Sequence, residues 1–466
     1  MKPHDFSLLE DLYNKNISLI INGNRGTGKT ILIKEISRIS KHGGIICVID
    51  NFETVSLNDN QEDYYELILK NIVHELLLCL LANKKMAKIL SEEDKILLSY
   101  LVYRYGKNIS ENEVANKIES IQLSLYKRIA NKFSSVISFF LNYGATAATR
   151  FGNELLSKHF NYLPNITEGS ISKIFPDLHF DADKSFVDLN VSYDILDRVL
   201  KLIKKLRIDR VVLFIDKLDE DKRLDNDADE IQKFIEALFV GNNLLLNENI
   251  QLIISVWKIP FDNLGSKFRR QKHSVYDTNW SIDELKKVLN QRLKAHSNSK
   301  LTNYERFFDS SVPDEDINKI FILANACPRD LWHIFDHIFK SQYNIDNTSL
   351  TLTRQAISQG INNFVVKFDF YEYYPKKKNA RKNTNDVYTY MQHLLKLPSY
   401  DFTHGELREF ANTGGSTTNY ISGMTSIGLV QKTDIKREGG AVVYKIIDPK
   451  VNFAIENKLS IGKSEH

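Results

Sequence analysis

The eight residues Gly23-Asn24-Arg25-Gly26-Thr27-Gly28-Lys29-Thr30 fit the pattern GxxxxGK[ST] without a mismatch. No other stretch of the chain constrains the fold as tightly. The apolar run from Ile17 to Asn22 reads as a short buried strand, and Ile31 to Ile39 continues with helical spacing. Strand, glycine loop and helix in that order make a cradle for an anion. Glycines let the backbone curl so that N–H groups face inward, and the helix beginning near Gly28 aims its positive end at the same point. Lys29 is placed to reach the β and γ phosphates of a nucleoside triphosphate, and Thr30 to offer its hydroxyl to Mg2+. All eight positions are therefore candidate nucleotide-binding residues, with ATP the expected ligand and Mg2+ the expected cofactor.

A nucleotide hydrolase also needs a carboxylate near the metal, at the end of another buried strand. Arg210-Val-Val-Leu-Phe-Ile-Asp216 supplies it. Asp216 is the expected metal residue, acting through the water shell that Mg2+ surrenders reluctantly. Asp219 and Glu220, three and four places on, are the candidates for the base that activates water. They equally begin the charged surface run from Asp219 to Asp229, so binding is better founded in the sequence than hydrolysis. A third strand runs from Gln251 to Trp257. Its Ser255 either senses the γ phosphate or caps the end of its own strand.

The length of 466 residues asks for more than one domain. Gly44 to Asp50 reads as a further core strand. Residues 54–190 interrupt the alternation of strand and helix with periodic Leu, Ile and Tyr, and read as a helical insertion. Tyr193 to Leu206 then leads as a helix into the acidic strand. Ser281 to Leu293 and two helices between Asp314 and Phe339 read as a lid. The expected fold is α/β: a parallel sheet core spanning 1–297 with that insertion, a helical lid over 298–365, a linker over 366–385, a C-terminal module over 386–457 and a tail over 458–466.

The motifs GNRGTGKT, VVLFIDKLDED, IISVWKIPFDNL, WSIDELKKVLNQRL and ACPRDLWHIF resemble those of AAA+/STAND-like P-loop ATPases. Within these the chain is most similar to KAP-type and related bacterial ATPases of phage-defence and conflict systems. The resemblance spans about Ile17 to Phe339, and only its first motif is strongly specific. It implies that Arg329, after Pro328, closes over the nucleotide near the phosphates. It also implies that Arg269 and Arg270 reach a nucleotide in a neighbouring subunit, in a homo-oligomer. Many ring-forming relatives carry a glutamate directly after the strand aspartate, where this chain has Lys217. An effector protein is the implied partner.

The C-terminal module reads as helix, turn, helix and then a β wing, which resembles a winged-helix domain. Asp386 to Leu397 is an amphipathic helix, Thr403 caps a second, and Thr417 to Ile427 forms a third. The strands LVQKTDI and AVVYKII flank a glycine-bearing tip at Lys436 to Gly440. The third helix would present Ser416, Thr417, Thr418, Asn419 and Tyr420 to a groove, with Lys432, Lys436 and Arg437 near phosphates. Against a DNA partner, that helix carries no Lys or Arg, and phosphate neutralisation supplies most non-specific affinity. A protein-facing role and a DNA-facing role both stay open, as does the basic run Lys376, Lys377, Lys378, Arg381 and Lys382.

Net charge is only +3, so overall electrostatics favours no nucleic-acid partner. Cys47, Cys79 and Cys327 form no framework, which fits a reducing cytoplasmic setting. No signal segment is visible, and Ser134 to Thr149 is too short and polar to span a membrane. Three functions compete: an ATP-driven switch, a DNA-engaging initiator or loader, and a nucleotide-binding scaffold without turnover.

Overall fold

The branched apolar runs become the strands of a sheet. In the computed structural model, which describes residues 6–39, 44–82, 89–91, 94, 97, 191–240, 243–376 and 386–462, they are β1 (Leu19–Gly23), β2 (Gly44–Ile49), β3 (Arg210–Ile215), β4 (Gln251–Trp257) and β5 (Ser274–Asp277). Their order is β2-β3-β4-β1-β5. β1 pairs in parallel with β4 and β5, and β2 with β3. Every residue of β1 and β4 is buried, as parallel strands covered on both faces require. Parallel pairing also brings the loop after β1 and the residues ending β3 and β4 to the same, carboxyl edge.

The helices are α1 (Phe6–Asn14), α2 (Lys29–Ile39), α3 (Gln61–Ala82), α4 (Val191–Lys205), α5 (Ala228–Phe239), α6 (Ile282–His296), α7 (Asp314–Leu323), α8 (Pro328–Ile345) and α9 (Arg354–Lys367). The C-terminal part adds α10 (Val387–Leu394), β6 (Asp401–Thr403), α11 (His404–Phe410), α12 (Thr417–Ser426), β7 (Val430–Lys436), β8 (Val442–Ile446) and α13 (Pro449–Glu456). β6, β8 and β7 lie side by side in that order as an antiparallel sheet.

Two compact units divide the chain. One comprises 37–215 and 241–252. In it Tyr65 of α3 meets Tyr193 of α4 with ring centroids 5.2 Å apart, and Glu62 accepts the Ser192 N–H at 2.9 Å. Lys205 closes the C-terminal end of α4 on Asp94 at 2.8 Å. Of the expected helical insertion, residues 61–82 are helical; most of the rest, including Ser134 to Thr149, lies outside the described residues. No described helix is long and apolar enough to cross a membrane.

The other unit comprises 1–36, 216–240 and 253–466. Ser281 and Glu284 form a capping box that starts α6, and Thr353 caps α9 through the Ala356 N–H. Gly360 lets α9 approach α8 closely: a Cβ there would sit 2.5 Å from the Ile338 Cα. A single hydrophobic core runs from Trp280 through α6–α9 to Ile461. The stretch read as the start of a linker carries Phe368, Phe370, Tyr373 and Tyr374 into that core, while 377–385 lies outside the described residues. Thr403 caps α11 as expected, in a second capping box with Glu406. Thr417 departs from expectation. It is fully buried, bonded to the Gly414 carbonyl and to Thr413, so α12 exposes Thr418 and Asn419 but not Thr417.

Candidate nucleotide site

The glycine loop closes β1 and opens α2. Gly26 and Gly28 have φ of +80° and +88°, conformations that side chains resist. A Cβ on Gly26 would meet the Cys327 Sγ at 2.6 Å and the Arg329 Nε at 2.8 Å, whereas one on Gly28 would project into open space. The first N–H groups of α2 with helical acceptors are those of Ile31 and Leu32, both bonded to the Gly28 carbonyl. Those ahead of them on the loop keep their donors for a ligand. Lys29 arches over the loop, its Nζ donating to the carbonyls of Gly23 at 2.9 Å and Asn24 at 3.0 Å.

Residues beyond the motif brace this loop. The Thr27 hydroxyl donates to the Asn24 carbonyl at 2.8 Å, and the Thr278 hydroxyl, 2.8 Å from it, also donates to the Asn22 carbonyl at 3.1 Å. Trp280 donates its indole N–H to the Thr27 carbonyl at 2.8 Å. Gly23 is required by the same brace, because a Cβ there would fall 1.7 Å from the Thr278 Oγ1. Asn24 donates to the Tyr373 hydroxyl at 3.0 Å, which Asn325 also reaches, at 3.2 Å. Thr30 is partly exposed at the start of α2.

Asp216 leaves β3 buried, with the Ser255 hydroxyl donating to its Oδ1. Ser255 thus orients the carboxylate, a role that neither sequence reading had given it. The chain then reverses. Lys217 adopts a left-handed conformation with φ of +62°, Leu218 plugs the core, and the Glu220 N–H returns to the Lys217 carbonyl at 3.0 Å. The turn sends Asp219 back toward the loop, buried, and leaves Glu220 exposed. Arg25 receives Asp219: its Nε lies 2.7 Å from Oδ2 and one terminal nitrogen 2.8 Å from the Asp219 carbonyl.

Charges converge here. Burial holds the Lys29 ammonium below the ordinary lysine range, opposed by Asp219, Asp216 and Glu220 and reinforced by Arg25. Partial burial, and then the Asp219 charge, raise the Glu220 carboxyl above its ordinary value. The Cys327 thiol is pushed up to about 12 by burial and by Asp330, so beside this loop it is a neutral group.

Arg329 stands against Gly26 at the start of α8, and its guanidinium pairs with Glu372 at 2.9 Å. Its Nε and second terminal nitrogen are buried without a hydrogen-bond partner, which is where an anionic ligand would supply acceptors. Arg270, in contrast, is engaged within its own chain by Asp277 at 2.5 Å and Asp262 at 3.1 Å. The open face of Gly28, the loop donors, Lys29 and the unmatched Arg329 nitrogens together suit a triphosphate, with Thr30 and Asp216 positioned for its metal.

Loop, acid-ended strand and following helix at the edge of a parallel sheet define the P-loop NTPase fold. No family model matches the sequence, and no curated protein does. Among solved structures the chain is similar to a Walker-type ATPase of Pyrococcus abyssi, with 12% identity and a TM-score of 0.43 over 98% of this chain and 95% of that one. It is also similar to Drosophila ORC in a structure bound to DNA, with 9% identity and a TM-score of 0.33 over 97% of this chain and 84% of the other.

Proposed function

We propose that the chain is an ATP-binding and ATP-hydrolysing switch. The observation that carries this reading is the meeting of Lys29, Asp216, Asp219 and Arg329 around one glycine loop. Residues 23–30 would wrap the phosphates. Lys29 would exchange its loop carbonyls for the β and γ phosphate oxygens, a trade of neutral acceptors for charged ones. Arg329 would bring its two unmatched nitrogens to the same phosphates. Thr30 and Asp216 would hold Mg2+, which when bound neutralises charge on the phosphate oxygens. Asp219 is preferred to Glu220 as base, because the turn at Lys217 returns it to the loop while Glu220 faces solvent.

Movement at Arg329 would pass to α8 and, through the shared core, to the C-terminal module. We read α10–α12 with the β6–β8 sheet as a winged helix that faces protein and not DNA. The exposed α12 side chains Thr418, Asn419 and Ser422 carry no positive charge, and Arg437 is tied to Glu406. A role in bacterial defence or conflict signalling, with an effector partner in the cytoplasm, rests on the motif resemblance alone.

The test is ATP binding and turnover by wild type, Lys29→Ala and Asp219→Asn. Lys29→Ala is expected to lose binding, and Asp219→Asn to bind but turn over slowly. Normal turnover by Lys29→Ala would refute the nucleotide site. Binding without turnover in the wild type would establish the scaffold reading instead.

A further inference from the structure

The second variable position of the glycine loop, Arg25, contacts neighbours on several sides. Its Nε–H donates to the Asp219 Oδ2 at 2.7 Å, and one terminal nitrogen donates to the Asp219 carbonyl at 2.8 Å. The other terminal nitrogen donates to the Asn226 Oδ1. The guanidinium plane lies over the Trp257 ring, 4.1 Å from its centroid. Asn226 is itself fixed, with left-handed φ of +59° and its amide donating to the Tyr371 carbonyl at 2.7 Å. The Lys376 N–H bonds its carbonyl at 2.9 Å.

These contacts turn the guanidinium toward the acidic turn. A phosphate-binding arginine presents its fork to the ligand, whereas here the fork holds both the carboxylate and the backbone of one aspartate. We propose that Arg25 is a positioning residue, which fixes Asp219 at the distance and angle from the phosphate loop that its work as base requires. Loop and base are then one rigid assembly, with Trp257 as floor and Asn226 as side wall. The arrangement also accounts for the base standing three residues after Asp216: an acid so far along the chain needs a tether to the loop, and Arg25 provides it from the loop itself. This inference rests on the reading of the site as an ATPase with Asp219 as base.

The experiment compares the full-length wild type with Arg25→Gln, Asp219→Asn and the double variant, reading ATP affinity, KM and kcat. Arg25→Gln is expected to lower kcat roughly 10²-fold, the penalty for a misplaced catalytic group. Its KM and ATP affinity should stay within about threefold of wild type, since no ground-state contact is lost. The double variant should be no slower than Asp219→Asn alone, because the tether has no value without the base. A raised KM with unchanged kcat, or losses that multiply, would overturn the proposal in favour of a direct phosphate contact. Normal turnover by Asp219→Asn would overturn the base assignment and this proposal with it, while Lys29→Ala reports separately on the nucleotide site. Should Arg25→Gln fail to fold, Asn226→Ala removes one acceptor of the same guanidinium. It should lower kcat at constant KM, and unchanged kcat in that folded variant would count against the tether.

Discussion

The Lys450 Nζ lies 3.1 Å from the Asp330 Oδ2, and neither side chain reaches solvent. Asp448 stands 3.8 Å away on the other side and accepts the Tyr374 hydroxyl at 2.9 Å. The rings of Phe368 and Tyr373 complete the enclosure, with centroids 4.4 and 5.1 Å from the ammonium. Burial alone would discharge this lysine, but Asp448 and Asp330 outweigh it and hold it above the ordinary lysine range. Asp330 follows Arg329, so the start of α13 is anchored to the residue beside the one that faces the phosphate loop.

Lys450→Met is expected to lower unfolding stability by about 3–5 kcal/mol, because it leaves two buried carboxylates without their cation. Replacing the lysine and both acids together by apolar or amide groups of similar volume should cost much less. Denaturant unfolding of both variants checks the contrast.

Gly26 and Gly28 should separate stability from binding. Gly28→Ala incurs about 1–2 kcal/mol of left-handed backbone strain, and its methyl occupies open space, so ATP affinity should fall further than stability. Gly26→Ala adds about 1–3 kcal/mol of overpacking against Cys327 and Arg329. It should therefore show the lower melting temperature of the two. Thermal melts paired with calorimetric ATP titration read both quantities.

Ser255→Ala removes the hydroxyl that orients Asp216. Loss of such an outer contact typically weakens metal use about 10–100-fold. The Mg2+ concentration for half-maximal turnover should rise accordingly, with ATP binding in the presence of a chelator unchanged. Equal loss of both would make Ser255 a nucleotide contact.

The pH dependence of the C-terminal module should follow Glu406. Burial would raise this carboxyl, but the Thr403 N–H and hydroxyl and the Arg437 guanidinium prevail, so it lies below the ordinary value of 4.5. A depressed carboxylate contributes stability that is complete above its unfolded pKa and lost as pH falls through the folded one. Wild type should therefore exceed Glu406→Gln in stability near neutrality, and the difference should shrink below pH 4.5. A gap that stays constant into acid would remove Glu406 as its source.

Much of this architecture was legible because strong local signals agreed. GNRGTGKT sat between a branched run and helical spacing, and VVLFID and QLIISVW were continuous enough to read as buried strands. The four-residue β5 has no such run, so Thr278 and Trp280, which brace the loop, left no local trace. Arg25 and Asp219 are 194 positions apart, and nothing in either neighbourhood announces their pairing. Lys450 read as one more solvated lysine, since its burial depends on acids contributed by Asp330 as well as by Asp448. The aromatic run from Phe368 to Tyr374 looked like a linker because a proline and basic residues follow it, yet tertiary packing claims every second or third ring.

That aromatic run has a consequence for modularity. Phe368, Phe370 and Tyr374 belong equally to the helices before them and to the terminal module after them. A truncation ahead of residue 386 would strip the cover from this seam and strand Asp330 without its counterion. Recombination that exchanged the last eighty residues for those of another protein would meet the same obstacle. The chain's C-terminal third is inherited whole or not at all, and diversification of its partner would have to proceed by substitution on the outer faces of α12 and β7.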